Sequence, residues 1–279
     1  MQDQEHPRLL DLSAPPLIMG IINATPDSFF PDSRAAATEE GLLRARRMID
    51  EGADILDIGG ESSRPGSDYV GAEEELARVI PLIQAIRRES HIAISVDTRK
   101  AVVARAALEA GADVINDISA LTDDPDLAPV AAEFDCMLIL MHKRGTPKEM
   151  QESPSYEDTL QEIIDELEEG VERALAAGVK RTRILLDPGI GFGKRHGDNL
   201  RILKYLPRLR ERGFPLLIGH SRKSFIGRIT GRDVEDRLPG SLAAGIMAQI
   251  GGADILRVHD VAATRDAASV VVAVQGADA

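Results

Sequence analysis

Tryptophan is absent from this 279-residue chain, and aromatic residues make up only 3% of it. So few rings argue against a base-stacking platform or a carbohydrate cleft walled by indoles. Basic charge is short as well: 33 Lys and Arg stand against 46 Asp and Glu, a formal net of -13. General nucleic-acid binding needs a basic face to neutralise phosphates, so that class is set aside. A small phosphorylated ligand is not, because a few local cations can hold it. The single cysteine, Cys136, excludes an internal disulfide framework. It lies in the apolar run 136–141 and reads as a small buried hydrophobe in a reducing compartment. No apolar run approaches the roughly 20 residues that span a bilayer, and residues 1–12 lack the layout of a signal peptide. A cytoplasmic protein with neither membrane nor nucleic-acid partners is expected. What is present is a hydrophobic fraction of 43%, enough to bury a full core.

A short pattern recurs along the chain. Gly52-Ala53-Asp54-Ile55-Leu56, Gly111-Ala112-Asp113-Val114-Ile115 and Gly252-Ala253-Asp254-Ile255-Leu256 each follow a helical stretch and open an apolar run. A glycine after a helix fits a left-handed cap, and the run that follows reads as a buried strand. The same rhythm gives eight strands, near 17–22, 54–58, 92–96, 113–115, 137–141, 184–186, 216–218 and 255–258. Amphipathic helices separate them. The clearest spans 156–177, with Leu160, Ile163, Ile164, Leu167, Val171 and Leu175 on one stripe, Ser155 as a candidate cap and Gly178 as its stop. Strands alternating with helices favour a parallel sheet buried on both faces. Eight of them in a chain near the ~250 residues typical of the fold predict a single (β/α)8 TIM barrel spanning 1–279, with its core at about 15–275. No Gly-x-Gly-x-x-Gly fingerprint follows the first strand, which weakens a dinucleotide-binding sheet.

A barrel carries its functional residues at the carboxyl ends of its strands, and all eight ends here are polar together. Asp57, Asp97, Asn116 and Asp187 suit a flat heterocycle with donors and acceptors, such as an aminopyrimidinone. Arg64, Arg222, Lys223, Arg257 and His259 suit phosphate oxygens. Taken singly, each has a plainer reading. A strand-end Asp can cap a helix or pair with an Arg, Asp27 and Asp260 most of all. His142 and His259 can be satisfied rim histidines, and the 187–193 segment a plain tight loop. Segment 25–34 reads either as a mobile lid or as an ordinary loop with two Phe tucked inward.

Taken together, these strings resemble the dihydropteroate synthase family over nearly the whole chain, from about Leu17 to Asp260. The motifs are Met19–Phe29; Gly52–Gly66 with its Gly-Gly-Glu-Ser-Ser-Arg-Pro-Gly; Ser95–Thr98; Gly111–Ser119; Met141-His142 with Gly145–Pro147; Leu186–Lys194; Ser221–Gly227; and Arg257–Asp260. The resemblance implies a (β/α)8 barrel and a transferase of folate biosynthesis. Its substrates would be p-aminobenzoate and 6-hydroxymethyl-7,8-dihydropterin diphosphate, and its products 7,8-dihydropteroate and diphosphate. It implies Mg2+ as cofactor and a homodimer, with the small-residue helix 241–250 compatible with a subunit contact.

By matching position, Asp97, Asn116, Asp187 and Lys223 correspond to pterin-binding residues, with Asp57 and Met141 close by. Asn23, Arg64, Arg257 and His259 correspond to the diphosphate group, Asn23 also to the metal. Ser63, Phe192 and Ser224 match positions near the aminobenzoate. Arg64, Lys223, Arg257 and His259 are the expected catalytic set. Departures from the family pattern are Ser63 where Thr is common, Lys143 where an uncharged residue is frequent, and segment 30–38 without the usual Asp-Gly-Gly turn. Rival readings are a pterin-dependent methyltransferase domain, which has no use for the Arg257/His259 pair, and a pterin-binding paralogue without synthase activity, which would lose the anion-binding groups. A phosphate-binding aldolase barrel lacks its Schiff-base lysine here.

Overall fold

The structure, a computed structural model, describes residues 10–12, 16–24, 31–62, 66–146 and 148–277, with side chains described from residue 36 onward in the first helix. Eight parallel strands alternate with helices: β1 (Leu17–Asn23), β2 (Ile55–Gly59), β3 (Ala93–Asp97), β4 (Val114–Asp117), β5 (Met137–Met141), β6 (Ile184–Asp187), β7 (Leu217–Gly219) and β8 (Ile255–Val258). The intervening helices are α1 (Pro31–Asp50), α2 (Ala72–Glu89), α3 (Ala101–Glu109), α4 (Leu127–Glu133), α5 (Thr159–Ala176), α6 (His196–Lys204), α7 (Leu206–Arg210), α8 (Ser224–Thr230), α9 (Leu238–Ile250) and α10 (Val261–Gln275). The ladder runs β6-β5-β4-β3-β2-β1-β8-β7. A single parallel bridge, Leu186 to Leu216, joins its two ends, and Leu186 N donates to Pro215 O at 2.9 Å. This is the expected (β/α)8 barrel, nearly closed, with its loosest seam between β6 and β7.

Every expected strand forms. Several extend further than their apolar runs, taking in Asp97, Asn116 and Asp187 as terminal or near-terminal strand residues. The backbone goes on pairing with its neighbours whatever the side chain, so polarity alone does not end a strand. Period-two alternation then decides where those side chains go. Ile18, Leu56, Ile58, Ile94, Val96, Leu138 and Leu140 face the helices in the larger core. Met19, Ile55, Val114, Met137, Ile139, Leu185, Leu217 and Ile255 fill the barrel interior. The residue two places beyond an inward one is inward again. Asp57 follows Ile55, Asn116 follows Val114, Asp187 follows Leu185 and Arg257 follows Ile255, so a polar layer caps the apolar one. Asp117 has the opposite parity. It is fully buried outside the barrel and accepts from Ser119 N (2.8 Å) and Leu121 N (2.5 Å), stabilising a turn in which Ala120 and Leu121 have positive φ.

The recurrent Gly-Ala-Asp pattern serves the opposite end of the barrel. Gly52, Gly111 and Gly252 have φ of 90, 109 and 94°, the left-handed conformation expected after a helix. The aspartates carry a role that the sequence does not announce. Asp54 N donates to Ile18 O, and Ile18 N returns a bond to Asp54 Oδ2 at 2.7 Å. Asp113 makes the same reciprocal pair with Ile94 (2.9 Å), and Asp254 with Leu216 (2.8 Å). Each carboxylate is neutralised by an arginine of a packed helix: Arg265 for Asp54, Arg87 for Asp113 at 2.7 Å and Arg210 for Asp254 at 2.5 Å. Three strands are thereby pinned at their amino ends. A related pair with its charges exchanged, Arg183 and Asp135 at 2.8 Å, sits before β6 and β5.

Two details differ from the expected helices. The cap of α5 is Asp158, which accepts from Leu160 N and Gln161 N, and not Ser155. Asp158 stands immediately before the first helical residue, where its carboxylate reaches the unpaired amides. Gly178 does follow the helix end, with φ 94°. Segment 25–34, read as a lid or an ordinary loop, is helical from Pro31 onward. Proline is pre-set for a first helical turn, and the Ala-rich stretch behind it is strongly helix-forming. Residues 25–30, the rest of the expected lid, lie outside the described residues. Cys136 is fully buried and unpaired, as expected, and burial pushes its thiol up to about 12. No described helix is long and apolar enough to cross a membrane.

Removing the aspartate of a strand-pinning pair leaves a buried backbone amide without its acceptor and a partly buried arginine such as Arg87 uncompensated. Asp113→Ala should lower unfolding free energy by about 3 kcal/mol, read as a lower urea midpoint at unchanged slope. Lys180→Ala, which removes only a largely exposed partner of Asp135, should shift the midpoint little.

Candidate active site

Three carboxylates converge at the barrel mouth. Asp57, Asp97 and Asp187 are only 0%, 9% and 4% exposed. Ladder register aligns Asn23, Gly59, Asp97 and Asn116 in one row along β1 to β4. Two small residues leave this layer open. A Cβ on Gly59 would lie 3.5 Å from Asp97 Cβ, and one on Gly219 would lie 3.9 Å from both Asp187 Oδ2 and Lys223 Nζ.

Arg257 spans the acidic layer. Its Nε donates to Asp57 Oδ2 at 2.6 Å and its Nη2 to Asp97 Oδ2 at 2.8 Å. Asn116 Nδ2 reaches the same Asp57 oxygen at 3.2 Å. Asp57 Oδ1 is buried with no protein partner, so an acceptor is held ready inside the mouth. Burial pushes Asp97 up to about 7 despite the attraction of Arg257, with the nearby charge of Asp57 adding to the rise. Burial likewise raises Asp187, against the attraction of Lys223; Asp187 Oδ1 accepts from Gly189 N at 2.7 Å. Burial lowers Lys223 to about 8, against the pull of Asp187. Asp97 and Lys223 are thus both brought toward neutrality, as groups in a ligand site are.

A cavity of about 620 Å³ opens outward from this layer, lined among others by Asn23, Ser62, Phe192, Lys223, Ser224, Arg257 and His259. Lys223 lies over the Phe192 ring, 4.5 Å from its centroid, and donates to Ile190 O. His259 Nδ1 is 3.0 Å from Ser221 Oγ. The glycines of the loop after β6 are obligatory. A Cβ on Gly189 would fall 1.9 Å from His142 O, and one on Gly193 2.1 Å from Arg144 O, both at positive φ. No plain loop demands such close approach; here it brings Phe192 beside Lys223.

The expected residues therefore fall into two adjoining groups. Asp57, Asp97, Asn116, Asp187 and Arg257 form the inner layer. Asn23, Phe192, Lys223, Ser224, Arg257 and His259 meet at the cavity. Met141 is buried at the end of β5, paired in register with Asp187. Ser63 and Arg64 lie outside the described residues. Arg222, expected among the anion donors, lines the same cavity and is paired with Asp260 through bonds of 2.9 and 2.6 Å, the pairing that the plainer reading of Asp260 had. Lys143, the unusual residue, pairs with Asp123 at 2.6 Å and so joins a chain of charges through Arg99 to Glu61. His142 is a satisfied histidine, as its plainer reading had it: it is buried between Lys194 and Glu166, and burial takes it down to about 4. Lys194, Tyr156 and Gln151, which bind the loop after β6, were not singled out. Only the lysine's place at the end of the glycine-rich motif hinted at them. Among the described residues no cluster of three or more His, Cys, Asp or Glu could cage a metal.

A closed apolar barrel with a polar layer and a cation-lined cavity at the carboxyl ends of its strands defines a barrel enzyme that takes a polar ring together with an anion. Comparison with known proteins narrows this. Residues 19–259 match the family described as pterin binding enzyme. A dihydropteroate synthase of Synechocystis is 47% identical over 256 residues, 91% of this chain and 89% of that protein. The Yersinia pestis dihydropteroate synthase, solved in complex with a sulfonamide drug, is 42% identical with a TM-score of 0.89, covering 95% of this chain and 96% of that one. The Xanthomonas albilineans enzyme, in complex with 7,8-dihydropteroate, is 42% identical with a TM-score of 0.85, covering 96% and 95%. The chain belongs to the pterin binding enzymes, and within them to the dihydropteroate synthases, which are transferases.

Proposed function

We propose that the inner layer binds the ring of 6-hydroxymethyl-7,8-dihydropterin diphosphate, and that the cavity receives its diphosphate and p-aminobenzoate. The observation that carries this division is Arg257, which belongs to both groups. Its guanidinium bridges Asp57 and Asp97. A pterin ring offers N–H donors to the same carboxylates, and with these in place the guanidinium is released to the diphosphate. Asp57, Asp97, Asn116 and Asp187 then bind the ring, with Met141 against it, and Lys223 bridges the ring and the cavity. Asn23, Arg64, Arg257 and His259 take the diphosphate. Ser63, Phe192 and Ser224 take the aminobenzoate.

The reaction breaks the carbon–oxygen bond between the pterin methylene and diphosphate. The electron pair of that bond leaves with the diphosphate, the amine lone pair forms the new carbon–nitrogen bond, and one amine proton passes to solvent or to the departing anion. Arg64, Lys223, Arg257 and His259 form the catalytic set, stabilising negative charge as it develops on the leaving group. The buried carboxylates favour positive charge at the methylene. An amine is already nucleophilic, so the reaction needs no serine or cysteine nucleophile.

Mg2+ fits this donor set as a shared ligand of substrate and protein. It is usually bound by substrate phosphates, waters and one or two protein oxygens, and the Asn23 carboxamide supplies such an oxygen beside Arg257 and His259. When bound, it would neutralise diphosphate charge. A homodimer is supported by Met247 and Ile250 on α9 and by Val270 and Val274 on α10, all more than half exposed on two packed helices.

The purified protein with the dihydropterin diphosphate, p-aminobenzoate and Mg2+ should form dihydropteroate; pterin binding without product would support the binding-paralogue reading instead. Arg257→Ala should weaken diphosphate binding by about tenfold or more and pterin binding less, measured by calorimetry with each ligand; equal losses contradict the division of roles. The ring needs ionised Asp97, and Lys223, which bridges ring and cavity, acts as the protonated ammonium. Affinity for the pterin diphosphate should therefore rise as pH increases through about 7 and fall beyond about 8. Asp97→Asn should remove the acid limb alone.

A further inference from the structure

The loop after β6 has no regular secondary structure, yet its carbonyls are taken one after another. Lys223 Nζ donates to Ile190 O, Gln151 Nε2 to Gly191 O at 2.5 Å, Lys194 Nζ to Phe192 O at 3.0 Å and Tyr156 Oη to Gly193 O at 2.8 Å. The amides are held too: Gly191 N donates to Asn199 Oδ1 at 2.7 Å, and Phe192 N to Gly189 O at 3.1 Å. Surface loops usually leave such groups to water and stay mobile. Here side chains from both flanking segments fix the backbone that carries Phe192.

Lys194 is the costly member. Only 2% exposed, its ammonium finds a histidine nitrogen, His142 Nδ1 at 2.9 Å, and backbone carbonyls in place of a bonded carboxylate. Burial brings it down to about 7, a pull that Asp187 only partly offsets. An apolar residue would avoid that cost but could not hold the Phe192 carbonyl. Accepting at Nδ1 leaves the His142 proton on Nε2, which faces Glu166 Oε2 at 2.9 Å. Glu166 in turn pairs with Arg144, which stacks on the Tyr156 ring at 4.1 Å. Lys194 and Tyr156 are thus two ends of one connected support under the loop.

We propose that Lys194 and Tyr156 are positioning residues for the second substrate, holding Phe192 as one wall of the p-aminobenzoate pocket. This rests on the functional reading above. It assigns them to the aminobenzoate and not to the ring, because Phe192 lines the outer cavity while the carboxylates lie in the layer beneath.

Steady-state kinetics with Tyr156→Phe and Lys194→Met test it. Each variant should raise the KM for p-aminobenzoate about five- to tenfold, the value of one lost buried hydrogen bond, with calorimetric affinity for the pterin diphosphate within twofold of the parent. A KM for p-aminobenzoate within twofold of the parent overturns the proposal, and so does a fall in kcat alone or an equal loss for both ligands. Should Lys194→Met fail to fold, Tyr156→Phe, which removes a single hydroxyl, decides the matter. A parent enzyme that makes no dihydropteroate overturns the functional reading and this inference together; a parent that turns over while the variants keep its KM overturns this inference alone.

Discussion

Burying three carboxylates above an apolar barrel interior is the constraint on which the rest of the site depends. Asp57, Asp97 and Asp187 lie on inward-facing strand positions, so water cannot solvate them fully, and like charges this close resist ionisation together. Arg257 relieves that tension by bridging two of them, and Lys223 by standing near the third. The cost of the cluster is thus met by cations that a bound anion can also use. A ring with N–H donors can take over the role of the guanidinium. On the proposed assignment, selectivity for a ring joined to an anion would follow from this exchange of partners, despite the chain's overall acidity.

The barrel divides its charges by end. At the amino ends, Asp54, Asp113 and Asp254 each spend one oxygen, Oδ2, on both a backbone amide and an arginine. At the carboxyl ends, Asp57 keeps a buried oxygen without a protein partner.

Much of this was legible in the sequence. The glycine that ends a helix and the apolar run that follows place eight strands, and alternation then turns Asp57, Asn116 and Asp187 inward. The acidic and cationic sets follow from strand ends alone. The aspartate of the recurrent pattern was not legible as a strand pin, because its partners Ile18, Ile94 and Leu216 are backbone groups far away in sequence. The supports of the loop after β6 escaped for the same reason: Lys194, Tyr156 and Gln151 act on carbonyls, which leave no mark on residue type. The pairing of Arg222 with Asp260 escaped as well, because the two lie far apart in sequence. The start of α1 at Pro31 was hidden by a Pro, Asp and Ser content that suits a loop and a helix start equally well.

The exchange of partners at Arg257 is most directly tested by a crystal structure of the protein with 6-hydroxymethyl-7,8-dihydropterin diphosphate. The account predicts ring nitrogens hydrogen bonded to Asp57, Asp97 and Asp187, with the Arg257 guanidinium turned from Asp57 and Asp97 onto the diphosphate. A guanidinium still bridging both carboxylates while the ligand is bound would contradict it.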